Sequence, residues 1–117
     1  MTGADRRRQL RAQYEARRPE AGVYLLRNTT TGRILVASAV DLRGARNRLA
    51  FGQETNSTGV LDRRLVADAR EFGMAAFAFE VLDVLPMRLE MTPDEVQRDL
   101  RALEDLWREK LAGTPQY

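Results

Sequence analysis

Two β-rich runs, Gly22-Val-Tyr-Leu-Leu-Arg-Asn28 and Arg33-Ile-Leu-Val-Ala-Ser-Ala39, stand only a few residues apart, joined by a polar Thr-rich link that closes on Gly32. Val, Ile and Tyr favour the pleated strand, and so short a polar link ending in glycine joins two strands as an antiparallel hairpin. A third run follows much later. Phe77, Phe79 and Val81 alternate with Ala78, Glu80 and Leu82, which predicts a strand that Pro86 closes.

The segments between and around these strands read as helices. Asp41 is an N-cap candidate for a helix over about 42–53, with Leu42, Ala45, Leu49 and Gly52 on one face. A second helix is expected over about 60–72, presenting Leu61, Leu65, Val66, Ala69 and Phe72, with Gly73 as its stop. Thr92-Pro93-Asp94-Glu95 combines an N-cap, proline in the first turn and a capping-box acid. Val96, Leu100, Leu103, Trp107 and Leu111 then form an amphipathic stripe up to Gly113. Residues 4–18 favour helix as well, but Leu10 and Tyr14 are their only large apolar side chains, so that helix is expected to dock lightly before Pro19 ends it. The order is strand, strand, helix, helix, strand, helix, with an extra N-terminal helix. It implies an α+β fold, a small three-stranded antiparallel sheet flanked by helices.

With 117 residues, 44% of them hydrophobic, one domain with a modest core is expected. Residues 1–20 read as an Arg-rich helical extension, 21–113 as the domain and 114–117 as a C-terminal tail. The chain has no Cys and no His. Disulfides, thiolate zinc sites and imidazole proton shuttles are therefore excluded, leaving Tyr, Arg, Lys and carboxylates for any chemistry. No apolar run follows Arg6-Arg7-Arg8, so neither a signal peptide nor a membrane span is expected, and a cytoplasmic location is. Charge is uneven: residues 1–50 hold 11 of the 19 basic residues, all Arg, against 4 of the 17 acidic ones. Such a half suits phosphate, and equally suits a solvated helical face.

The combination of Gly22-Val23-Tyr24, a returning strand whose Leu35-Val36-Ala37 lies eleven residues on, Phe77-Ala-Phe-Glu-Val-Leu82 and Leu103-Glu104-Asp105-Leu106-Trp107 resembles the GIY-YIG nuclease family over about residues 21–112. The resemblance implies a metal-dependent endonuclease fold, with a helical Glu on one divalent cation, a Tyr near the attacking water and an Arg on the scissile phosphate. Tyr24 matches the first-motif Tyr and Glu104 the metal-binding Glu, with Mg²⁺ or Mn²⁺ as the implied cofactor. The second-motif Tyr falls on Leu35, the first-helix Arg on Ala45 and a His or Tyr one turn later on Leu49. An Asn near the C-terminus has no counterpart. Arg48, nearly on the face of Ala45 and one turn along, is the substitute phosphate grip.

Each candidate also has a plain structural reading. Tyr24 is a strand residue that packs with its hydroxyl at the edge, and Arg48 is an exposed helix arginine. Glu104 borders the buried stripe, where a carboxylate needs a partner; Arg46, Arg48 and Arg101 are candidates. Losing one positioned catalytic group costs about 10²–10⁴ in rate, so the three apolar substitutions imply a degenerate or attenuated nuclease. Three functions follow: a domain that binds DNA or other nucleic acid through Arg33, Arg43, Arg46 and Arg48; an active nuclease with a rearranged site of Tyr24, Arg48 and Glu104; or a protein-interaction or homo-oligomerisation module.

Overall fold

The computed structural model describes residues 2–17 and 19–117; Met1 and Arg18 lie outside them, as does the docking expected of Tyr14. The hairpin consists of β1 (Gly22–Asn28) and β2 (Ile34–Ala39), paired so that Tyr24 faces Ala37 and Leu26 faces Leu35. β3 (Phe77–Val84) runs antiparallel along the other side of β1, giving the order β2-β1-β3 with the hairpin's first strand at the centre. α1 (Gly3–Arg17) precedes the domain with Leu10 exposed, and around the sheet are α2 (Leu42–Thr55), α3 (Arg63–Phe72) and α4 (Pro93–Lys110). The fold is α+β, in the order the sequence implied. Among the described residues no helix is long and apolar enough to cross a membrane.

Alternation along β1 divides the core. Val23 and Leu25, with Ile34 and Val36 of β2, are buried against Leu103, Trp107 and Leu111 of α4 and its end. Leu26 and Leu35 point to the other face, where they are buried with Leu49 of α2, Leu65 and Ala69 of α3, Met74 and Phe77. Both faces of the hairpin are thus covered, which is why its apolar runs are nearly continuous.

Capping follows the sequence at two of the three domain helices. Asp41 accepts from Gly44 N–H at 3.1 Å, and Thr92 accepts from Glu95 N–H at 3.1 Å with Pro93 in the first turn. The expected helix over 60–72 is shorter. Thr58–Val60 is a 3₁₀ turn, and α3 begins only after Asp62, whose carboxylate accepts from Arg64 N–H at 2.9 Å. Val60 and Leu61 pack on the same cluster as α3 without belonging to it, so the apolar spacing runs through the break. Gly73 ends α3 at φ 91°, a conformation that favours glycine.

Residues 114–117 are held in place. Ile34 N–H donates to Pro115 O at 2.9 Å and Tyr117 N–H to Ile34 O at 3.0 Å, a parallel bridge on the outer edge of β2. The Tyr117 hydroxyl donates to Asp68 at 2.6 Å and accepts from Asn28 Nδ2 at 3.1 Å. Asn28 is fully buried, and its Oδ1 accepts from the N–H groups of Thr30 and Thr31 in the hairpin turn. One buried amide therefore ties the turn, α3 and the chain's last residue together.

Gly22 has a steric cause. A Cβ there would collide with the Asp83 carbonyl oxygen and lie 2.9 Å from Leu42 Cδ1 and 3.1 Å from Val84 Cα. At this point β3 shifts register against β1, between Val23 and Tyr24. Only glycine lets the bulged strand and the start of α2 approach this closely.

Candidate functional site

A cleft of about 620 Å³ opens between the end of β2, the first turns of α2 and the Thr58–Val60 turn. Tyr24 and Leu26 of β1, Leu35 and Ala37 of β2, and Ala45, Arg48 and Leu49 of α2 contribute to its wall, with Val60, Leu61 and Asp62 closing it from beyond the helix. The strand register explains this grouping: Tyr24, Leu26, Leu35 and Ala37 all point to the α2 face. Ala45 and Leu49 are four apart on α2 and so share its inward side, while Arg48 is at i+3 from Ala45.

Tyr24 is half-buried, and its ring stacks on Phe79 of β3 with centroids 4.6 Å apart and planes at 18°. The Arg46 guanidinium lies over Phe79 at 5.2 Å. Arg46 is thus drawn to β3, whereas Arg48 stays exposed at the cleft; Arg43 is exposed as well. Burial raises the Tyr24 pKa above its ordinary value of 10.0; the positive charge of Arg48 opposes this, and the charges of Glu104 and Asp62 add to it. At neutral pH Tyr24 is a hydroxyl able to donate to an anion, not a phenolate base.

Glu104 lies on α4, across the sheet, and is not part of the cleft wall. Its side chain is 20% exposed, and its Oε2 lies 3.1 Å from Arg108 Nη2. The same Arg108 nitrogen donates to the Val36 carbonyl at 3.0 Å, on the free edge of β2. The carboxylate therefore finds its partner one turn along its own helix, not in Arg46, Arg48 or Arg101. An i, i+4 acid–base pair is a spacing legible in the sequence.

Asp62, which the sequence did not single out, is one of two acids in the cleft wall, with Asp41. It is gripped by Arg64 through Nε at 2.9 Å and Nη2 at 3.0 Å. That hydrogen-bonded guanidinium, with the backbone N–H of Arg64, lowers the Asp62 pKa from 3.8 to about 2. Arg33 is placed elsewhere. Its guanidinium lies over the Tyr117 ring at 4.3 Å and its Nη2 donates to Gln116 O at 3.4 Å, at the hairpin-turn end of β2.

The chain superposes on the catalytic domain of the homing endonuclease I-TevI with a TM-score of 0.57 and 21% identity, over 79% of this chain and 88% of that one. An alanine mutant of the catalytic domain of intron endonuclease I-TevI gives 0.57 and 18%, over 80% and 84%. The fold is GIY-YIG-like. No family model matches the chain, and no curated protein does. Tyr24 and Arg48 share the cleft wall with Ser38, Asp41 and Asp62, and the remaining side chains that line it are aliphatic.

Proposed function

We propose that the protein is a nucleic-acid-binding domain on a GIY-YIG-like nuclease fold, with hydrolysis attenuated or lost. The observation that carries this reading is the pairing pattern of the charged groups around the cleft. Among the described residues Arg48 has no carboxylate partner, while Glu104 is bonded to Arg108 and Asp62 to Arg64. What the cleft offers a ligand is the Arg48 cation and the Tyr24 hydroxyl, a combination suited to a phosphodiester oxygen, beside the Asp41 carboxylate that caps Gly44 N–H. Arg43 and Arg46, one turn apart on α2, extend the grip, and Arg33 is the outlying contact.

Attenuation follows from the wall. Leu35, Ala45 and Leu49 stand where the family resemblance asks for polar groups, and Leu35 and Leu49 are buried in the core cluster. These side chains neither orient water nor neutralise developing charge. A divalent cation at Glu104 would have that carboxylate as its one protein ligand, with water and substrate phosphate completing the shell, and would compete with the Arg108 guanidinium for it.

A second reading, an active endonuclease using Tyr24, Arg48 and Glu104 with Mg²⁺ or Mn²⁺, is favoured by one observation: the charges of both Arg48 and Glu104 act on the Tyr24 hydroxyl. It requires Arg108 to release Glu104 when substrate is present. Titration of labelled DNA over a range of salt tests the first reading, with affinity expected to fall linearly in log–log form as phosphate contacts are screened. Plasmid nicking that Glu104→Ala abolishes is the result that establishes the second.

A further inference from the structure

The cleft has more apolar wall than a phosphate contact uses. Leu35, Ala37, Ala45 and Leu49 line it alongside Arg48 and Tyr24. A phosphodiester gains nothing from hydrocarbon and loses hydration against it. A nucleobase is the opposite case, since its faces are planar and weakly hydrated and its own phosphate lies one sugar away. The cleft volume of about 620 Å³ falls within the roughly 300–1,000 Å³ of sites that enclose small ligands.

The tyrosine adds a second reason. Phe79 covers one face of the Tyr24 ring, and Arg46 caps Phe79 in turn, so the ring is fixed by neighbours on its far side while it lines the cleft. An immobilised ring with one covered face is a stacking surface that loses little freedom when a second planar group arrives. Arg48 supplies the positive charge at the same opening.

We infer that the cleft receives one unpaired nucleotide, with its base against Leu35, Ala37, Ala45 and Leu49 and its phosphate on Arg48. The inference rests on the nucleic-acid reading above and deepens it by naming the substrate class as single-stranded or frayed nucleic acid. A base inside a continuous duplex has both faces stacked and its edge paired, so it reaches such a wall only after extrusion. Stacked bases in single-strand binders typically contribute about 5- to 150-fold each in affinity.

Fluorescence anisotropy on the full chain, at one low ionic strength, tests this with three probes of equal length and charge: a single-stranded DNA oligomer, the same oligomer with abasic sites, and a hairpin duplex with closed ends. The base-bearing single strand should bind about fivefold or more tighter than the abasic strand, and tighter than the duplex. Ala45→Trp, which fills the cleft, should remove the difference between base-bearing and abasic strands while leaving abasic binding. Ala37→Met is the milder filling variant should Ala45→Trp not fold. Equal binding of base-bearing and abasic strands, or a difference that survives the filling variants, overturns the nucleotide inference and leaves the phosphate reading standing. Absence of binding to all three probes overturns both.

Discussion

Replacing Gly22 by Ala adds a single methyl group at the most crowded point of the sheet. That methyl would collide with the Asp83 carbonyl oxygen and meet Leu42 Cδ1 at 2.9 Å and Val84 Cα at 3.1 Å. Leu42 can rotate away, but two of the three obstacles are backbone atoms of β3, so relief requires β1 and β3 to separate at the Gly22–Val84 pair. Overpacking of this kind costs about 1–3 kcal/mol, and loosening one ladder hydrogen bond adds about 1 kcal/mol, for a total of roughly 2–4 kcal/mol. A domain of this size shifts its Tm by about 4 °C per kcal/mol, so Gly22→Ala should melt about 8–16 °C below the wild type in a circular-dichroism scan. Gly113→Ala is the matched control, because nothing lies within 4 Å of a Cβ there. A Gly22→Ala protein that melts within about 1 °C of the wild type would refute the close approach of β3 and α2 at this glycine, and with it the steric account of the motif's first residue.

Other consequences are open to measurement. Asn28→Ala removes four hydrogen bonds from a buried amide and should lower stability by about 2–4 kcal/mol in urea unfolding; a loss under about 0.5 kcal/mol would contradict the network's role. The Asp62 carboxyl, depressed to about 2, contributes stability above its ordinary 3.8 that fades as pH falls through about 2. Asp62→Asn keeps an N-cap but cannot titrate, so the dependence of Tm on pH across that window should flatten in the variant, and unchanged dependence would count against the Arg64 pair. Arg43→Gln should reduce the salt slope of single-stranded DNA binding by about 0.7, and Arg33→Gln by less, because Arg33 sits over Tyr117; an equal or larger effect at Arg33 would move the interface to the hairpin turn.

Local signals predicted local structure well here. The hairpin, the Asp41 and Thr92 caps and the stop at Gly73 each depend on residues within one turn of one another, and each is found where the spacing put it. The start of α3 lies later than apolar spacing implies, because Val60 and Leu61 pack on the same cluster as Leu65 and Ala69 and the periodicity runs straight through a 3₁₀ turn. The contacts of Arg33 and Tyr117 depend on pairings between residues 49 to 89 positions apart, which leave no local trace. At the site, Tyr24 and Arg48 could be placed from strand register and helical phase. The partner of Glu104 is Arg108 at i+4, not Arg101 at i−3 on the same helix nor Arg46 or Arg48 of α2, and spacing alone does not choose between the two neighbours on α4.

Holding nucleic acid without cutting it is a property that a single gel reads in both halves. Supercoiled plasmid incubated with stoichiometric protein and Mn²⁺ is run once natively and once after the protein is stripped. Retarded migration in the first lane with intact supercoil in the second is the expected result. Relaxed or linear plasmid that disappears with Glu104→Ala would contradict it.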